Sequence, residues 1–220
     1  MRVRPARLAK KLNAHKVRSR FVSDWDSPRI DPYNGRSDFV GIMLHHTAGV
    51  DSLRWICFTN PYKPVRAAHF LVQRDGTVAV CSGVGAHHAG KGGPWVFQGK
   101  RRDIRIPADE GNSRFYGIEI ESKGTSRRID GSLEGMTVEQ IVETALLCAA
   151  LLDAMRRGTR SLPVSRVIRH RDWTTRKIDV QQDLDWWHQV IGIARANAKN
   201  RGIAEQLIRQ FVKEYPKGRL

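Results

Sequence analysis

Apolar residues run almost unbroken through Phe39-Val40-Gly41-Ile42-Met43-Leu44 and stop at His45-His46-Thr47. A run of this kind predicts a strand buried on both faces, as in a parallel sheet covered by helices. Ala68 to Gln73 and Thr77 to Val80 are two further apolar runs on either side of Arg74-Asp75-Gly76. Asp-Gly between such runs supplies the positive φ of a tight hairpin turn. Tyr116 to Glu121 alternates with period two, which puts Glu119 and Glu121 on one face of a strand. A helix opens at Thr137, where Gln140 completes a capping box. Val138, Ile141, Val142, Ala145, Cys148, Ala149, Leu152 and Met155 mark its apolar face, with Cys148 as core filling. Arg156-Arg157 complement its dipole and Gly158 stops it. Val167-Ile168-Arg169 is a short strand leading into His170, and a second helix runs from Asp183 through Ala196. Residues 82–113, rich in Gly and charge, predict a long functional loop. Strands interleaved with helices give the expected class: α/β, a mixed central β-sheet flanked by helices.

Charge changes this picture only at the two ends. The 220 residues carry a net charge of +16, of which residues 1–20 hold +8 and residues 190–220 hold +5. One nearly balanced domain over residues 21–198 is therefore expected between a basic N-terminal extension, 1–20, and a basic C-terminal extension, 199–220. Such ends suit a polyanionic partner, or are plain solubilising tails. No apolar run approaches the roughly 18 residues that span a bilayer. The start is basic but has no apolar h-region, so synthesis in the cytoplasm without a secretory signal is expected; a transit peptide is the other reading of a basic, acid-poor start. Cys57, Cys81 and Cys148 are widely spaced, which predicts reduced thiols and no disulfide framework.

Candidate chemistry sits where predicted strands end. His45-His46-Thr47 closes the first strand, Glu119 lies in the alternating one, and His170 is followed by Lys177 and Asp179. A neutral imidazole at a strand end is well placed to bind zinc. Two histidines and one carboxylate leave a fourth tetrahedral position for water, the pattern of catalytic zinc. Each signal alone has a plainer reading: a hydrogen-bonded histidine, a solvated Lys–Asp pair, or glutamates on the wet face of a sheet.

Together, in order, they resemble the type 2 N-acetylmuramoyl-L-alanine amidases, relatives of the peptidoglycan recognition proteins. Leu44 to Gly49 resembles the family's opening ligand segment, and Ala68 to Val72 with Arg74 to Val78 its hairpin. His87-His88-Ala89-Gly90 resembles its Trp-His-Ala-Gly loop, and Tyr116 to Glu121 its Gly-Ile-Glu strand. His170 through Lys177 and Asp179 resembles its closing His…Lys-x-Asp motif. Arg66 to Phe70 and His170-Arg171-Asp172-Trp173 look most like lysins of phages that infect actinobacteria.

The resemblance implies Zn²⁺ held by His45, His170 and Asp179, Glu119 as proton acceptor and donor, and Lys177 on the oxyanion. His46 would be a neighbouring structural residue, and His88 either a substrate contact or a purely structural residue. The implied substrate is bacterial peptidoglycan; a monomer is expected, and the charge of the basic ends suggests anionic wall polymers as their partner. Three positions depart from the pattern: Ala68 replaces a common Tyr, His87 an aromatic residue, and Val180 a common Pro. Two other readings compete. One is a non-catalytic wall-binding module of the same fold; the other is a nucleic-acid-binding protein, for which no dedicated motif accompanies the charge.

Overall fold

The computed structural model describes residues 3–58, 65–99, 102–124, 135–156 and 161–214. Seven α-helices and eight strands are assigned among them. In chain order they are α1 (Pro5–Ala14), β1 (Ser19–Phe21), β2 (Gly41–His46), α2 (Leu53–Cys57), β3 (Phe70–Val72), β4 (Val78–Val80), β5 (Trp95–Phe97) and β6 (Ile104–Ile106). α3 (Gly111–Arg114), β7 (Phe115–Ile120), α4 (Val138–Ala154), β8 (Val167–Arg169), α5 (His170–Trp173), α6 (Leu184–Ala196) and α7 (Arg201–Glu214) follow. The architecture is the expected mixed α/β sheet flanked by helices.

Six strands form the sheet in the order β1-β4-β3-β7-β2-β8. β3, β7, β2 and β8 are mutually parallel, whereas β4 turns back antiparallel through the hairpin, with β1 parallel to it. Gly76 adopts φ +83° in that turn, where a side chain would be strained. Period-two alternation divides the core. Ile42, Leu44, Phe70, Val72, Ile118 and Ile120 face the helices α1, α4, α6 and α7. Met43 and Phe115 face a second cluster with Phe97, Ile106 and Trp173. Leu71 and Ala79 face a third with α2.

α4 departs from its predicted single apolar face. Its capping box is present, but the helix is buried almost all round because α1, α6 and α7 cover its outer side. Even Glu143 is fully buried, accepting hydrogen bonds from the Arg18 backbone N–H and guanidinium and from Arg201. A carboxylate so deep requires such partners. Arg157 and Gly158, read as its C-terminal signals, lie outside the described residues.

The described parts of the basic ends, residues 3–20 and 190–214, are built into the domain. Leu8 and Leu12 of α1, one turn apart, are fully buried against α4, and β1 extends the sheet. At the other end α7 buries Ala204 and Ile208, with Phe211 packed beside them. Residues 82–113 likewise contain the β5–β6 hairpin and α3 rather than loop alone.

The cysteine expectation is corrected. Cys57 at the end of α2 and Cys81 just after β4 form a disulfide, with Cα atoms 5.0 Å apart, while Cys148 is free and buried. A spacing of 24 residues carries no signal of this contact; the packing of α2 on the hairpin creates it. No described helix is long and apolar enough to cross a membrane.

Candidate metal centre and active-site cleft

Sheet register assembles the site. His45 of β2 is level with Glu119 of β7, and Leu44 with Arg169, so His170, the first residue of α5, follows one step beyond β8. All three lie at the C-terminal ends of parallel strands, where open α/β sheets present ligand crevices. A cleft of about 520 Å³ opens there, lined by His45, Glu119, His170, Lys177 and Asp179 among others.

Three ligand atoms converge in it. His45 Nδ1 is 2.9 Å from His170 Nδ1, and Asp179 Oδ2 is 3.0 Å from His170 Nδ1 and 3.5 Å from His45 Nδ1. Atoms bound at about 2.0–2.1 Å to a tetrahedral ion such as zinc stand roughly 3.4 Å apart. The hydrogen-bond chain behind them fixes their protons. His88 Nε2 must donate to the Phe115 carbonyl, at 3.0 Å, because a carbonyl only accepts. His88 Nδ1 is then an acceptor, so His45 donates through Nε2, at 3.0 Å. His170 Nε2 donates to the Ala89 carbonyl, at 3.1 Å. In neutral imidazoles both Nδ1 atoms are consequently bare, and two nitrogen lone pairs and a carboxylate oxygen face one another. Burial pushes His45 down to about 4, so it is neutral at pH 7. This donor set fits a cation, and His45, His170 and Asp179 could bind a metal ion.

Of the two roles open to His88, substrate contact and structural support, the geometry supports the second: both ring nitrogens are committed within the protein. His88 orients His45. Asn112 Oδ1 in turn accepts the backbone N–H of His88 and of Ala89, both at 2.7 Å. Gly117 is glycine for the same reason, since a Cβ there would lie 2.3 Å from the His88 ring. Supports of this kind typically tune metal affinity by about 10–100-fold. His88→Ala should therefore weaken a divalent metal by that factor in chelator competition. Unchanged affinity would show that His45 keeps its orientation without this partner.

The remaining residues sort by their partners. Glu119 has a buried Oε2 with no hydrogen-bond partner among the described residues, beside the three ligand atoms. Burial, reinforced by the nearby Asp179 charge and opposed by Lys177, pushes it up to about 8. Lys177 is solvent-exposed at the cleft wall. His46 accepts from the Ala48 N–H through Nδ1 and is not among the three converging residues. Glu121 is no wet-face residue: it is buried and accepts the backbone N–H of Ser52 and of Arg74. His69 went unassigned in the sequence; its buried Nδ1 accepts from Gly117 N–H at 3.0 Å, tying the hairpin to β7. Its place inside an apolar strand, Ala68 to Val72, was the available signal. Ala68 is buried, His87 lines the cleft, and Val180 is core.

Among curated proteins none matches the chain's sequence. The sequence profile of the family described as N-acetylmuramoyl-L-alanine amidase matches residues 35–182, about two thirds of the chain. That span holds every residue of the converging triad together with Glu119, Lys177 and the His88 support. With the site's chemistry and the matched span in agreement, the chain belongs to the N-acetylmuramoyl-L-alanine amidase family, enzymes that act on peptidoglycan.

Proposed function

We propose that this protein is a zinc-dependent amidase that hydrolyses the amide between the lactyl group of N-acetylmuramic acid and L-alanine. The observation that carries the proposal is the convergence of two bare imidazole nitrogens and a carboxylate oxygen beside Glu119, whose buried Oε2 has no hydrogen-bond partner among the described residues. His45, His170 and Asp179 would hold the zinc, which supplies Lewis acidity toward the scissile carbonyl and acidifies water. Glu119 removes the attacking water's proton and returns it to the departing amine nitrogen of L-alanine. Lys177 places its ammonium against the oxygen that gains negative charge. His88, Asn112 and Gly117 hold the ligand geometry steady through this cycle.

Zinc analysis with mass spectrometry of products from purified wall tests the reading. One zinc per chain and peptides with a free L-alanine amino terminus are expected. An intact amide after incubation of zinc-loaded protein would overturn it and favour a wall-binding module. The wording of Arg66 to Phe70 and His170 to Trp173 further supports a phage lysin active on actinobacterial walls. Digestion of such walls in preference to others is the expected result.

The basic helices extend the proposal. α1 and α7 lie on the helical side of the sheet, whereas His45 and Glu119 share the opposite face with Met43 and Leu71. We infer that they tether the enzyme to anionic wall polymers without entering the cleft. Truncation is a poor test because it removes Leu8, Leu12 and β1. Exposed Arg4, Lys10, Lys16, Lys199 and Lys213 should instead be changed to Gln. Attraction between exposed charges is screened beyond about 8 Å at physiological salt. Wall digestion by the wild type should fall steeply with added salt, and the neutralised variant should lose that dependence. Identical salt profiles would remove the tether.

A further inference from the structure

Among the described residues seven large apolar side chains are notably exposed, and the two most exposed, Trp55 at 63% and Ile178 at 64%, are the two that line the catalytic cleft. An exposed indole leaves roughly 100–150 Å² of mostly apolar surface in water, a cost that ligand contact would relieve. The mount beneath Trp55 is unusually well fixed. Ser52, which precedes α2, donates its N–H to Glu121 Oε1 at 2.7 Å, and Glu121 also holds Arg74 of the hairpin turn. The last residue of α2, Cys57, is disulfide-bonded to Cys81. Ile56 is fully buried with Ala68, Leu71 and Ala79, and its carbonyl accepts the Ala67 N–H at 3.0 Å. A five-residue helix pinned at its start, its end and its underside holds one bulky side chain out at the mouth of the cleft.

From this we propose that Trp55 is a sugar-stacking platform, taking the flat C–H face of an N-acetylated pyranose of the glycan strand while the amide lies at the ligand triad. The inference rests on the amidase reading and names which part of that substrate the wall of α2 holds. A pyranose offers the planar apolar face that an indole covers well, and a rigid aromatic mount loses little entropy when it is covered. Ile178 stands between Lys177 and Asp179, on the segment that also contributes a ligand, and so it suits the short apolar side chain at the start of the peptide. Aromatic anchors in clefts commonly carry a large share of binding, which sets the expected loss at about tenfold or more.

The test uses the zinc-loaded full chain carrying Glu119→Gln, so that ligand is not consumed, with Trp55→Ala or Trp55→Phe added. Two probes are titrated calorimetrically: a soluble N-acetylglucosaminyl-N-acetylmuramoyl peptide, and the same peptide bearing only a lactyl group. The parent should prefer the sugar-bearing probe. Trp55→Ala should weaken that probe about tenfold or more and collapse the preference toward unity, whereas Trp55→Phe should keep most of it. No preference in the parent, no change in Trp55→Ala, or equal weakening of both probes would overturn the platform. The amidase reading fails separately, when zinc-loaded wild type leaves the amide intact; a Trp55-dependent sugar preference would survive that result.

Discussion

Protein carrying both His45→Ala and Asp179→Ala is expected to retain no stoichiometric zinc after dialysis and to lose at least about 10³-fold in amide hydrolysis. Three ligand atoms define the site, at 2.9, 3.0 and 3.5 Å from one another. Removing two leaves His170 alone, and a single imidazole does not hold a tetrahedral dication against solvent. Lewis-acid stabilisation is worth several kcal/mol, and each 1.36 kcal/mol is tenfold in rate, which sets the approximate size of the loss. The fold should persist, since both side chains sit at the cleft and β2 pairs with β7 and β8 through backbone that alanine retains. Circular dichroism should therefore match the wild type. Stoichiometric metal in the double variant would reject this ligand set, whatever happens to activity.

Glu119→Gln should keep zinc and fold and lose about 10²–10⁴-fold in kcat, the usual worth of a positioned general base. Glutamine matches the shape but cannot accept the water's proton. A near wild-type rate would return Glu119 to a structural role. The same substitution has a signature in metal-free protein. Burial, with Asp179 nearby, raises the carboxyl from 4.5 to about 8. Between those pH values the native state holds a proton that the unfolded state has released. Native stability therefore declines as pH rises through this window. Glutamine does not titrate, so the stability of Glu119→Gln relative to wild type should increase between pH 5 and pH 8 in denaturant melts. A pH-independent difference would mean that Glu119 ionises freely. Beside a bound dication the carboxyl ionises more readily, which suits a base working near neutral pH.

Local patterns decided much of this protein. The Phe39 to Leu44 run, the Asp75-Gly76 turn and the Thr137–Gln140 box each act within a few residues, and each appears as a strand, a hairpin or a helix start. The ordered motifs likewise singled out His45, His170 and Asp179, and the sheet brings the two histidines together across 125 residues of chain. Tertiary structure alone decided what depends on which strand lies beside which. Only the approach of the His88 loop to β7 commits that ring to His45 and the Phe115 carbonyl, and only this contact explains why Gly117 has no side chain. The Cys57–Cys81 bond and the Arg18–Glu143–Arg201 cluster follow from packing between segments distant in sequence. The basic ends show the difference most plainly. Their charge is visible as composition, but Leu8, Leu12, Ala204 and Ile208 become core only because α4 offers an apolar outer face, and a sequence period cannot say which helix will cover it.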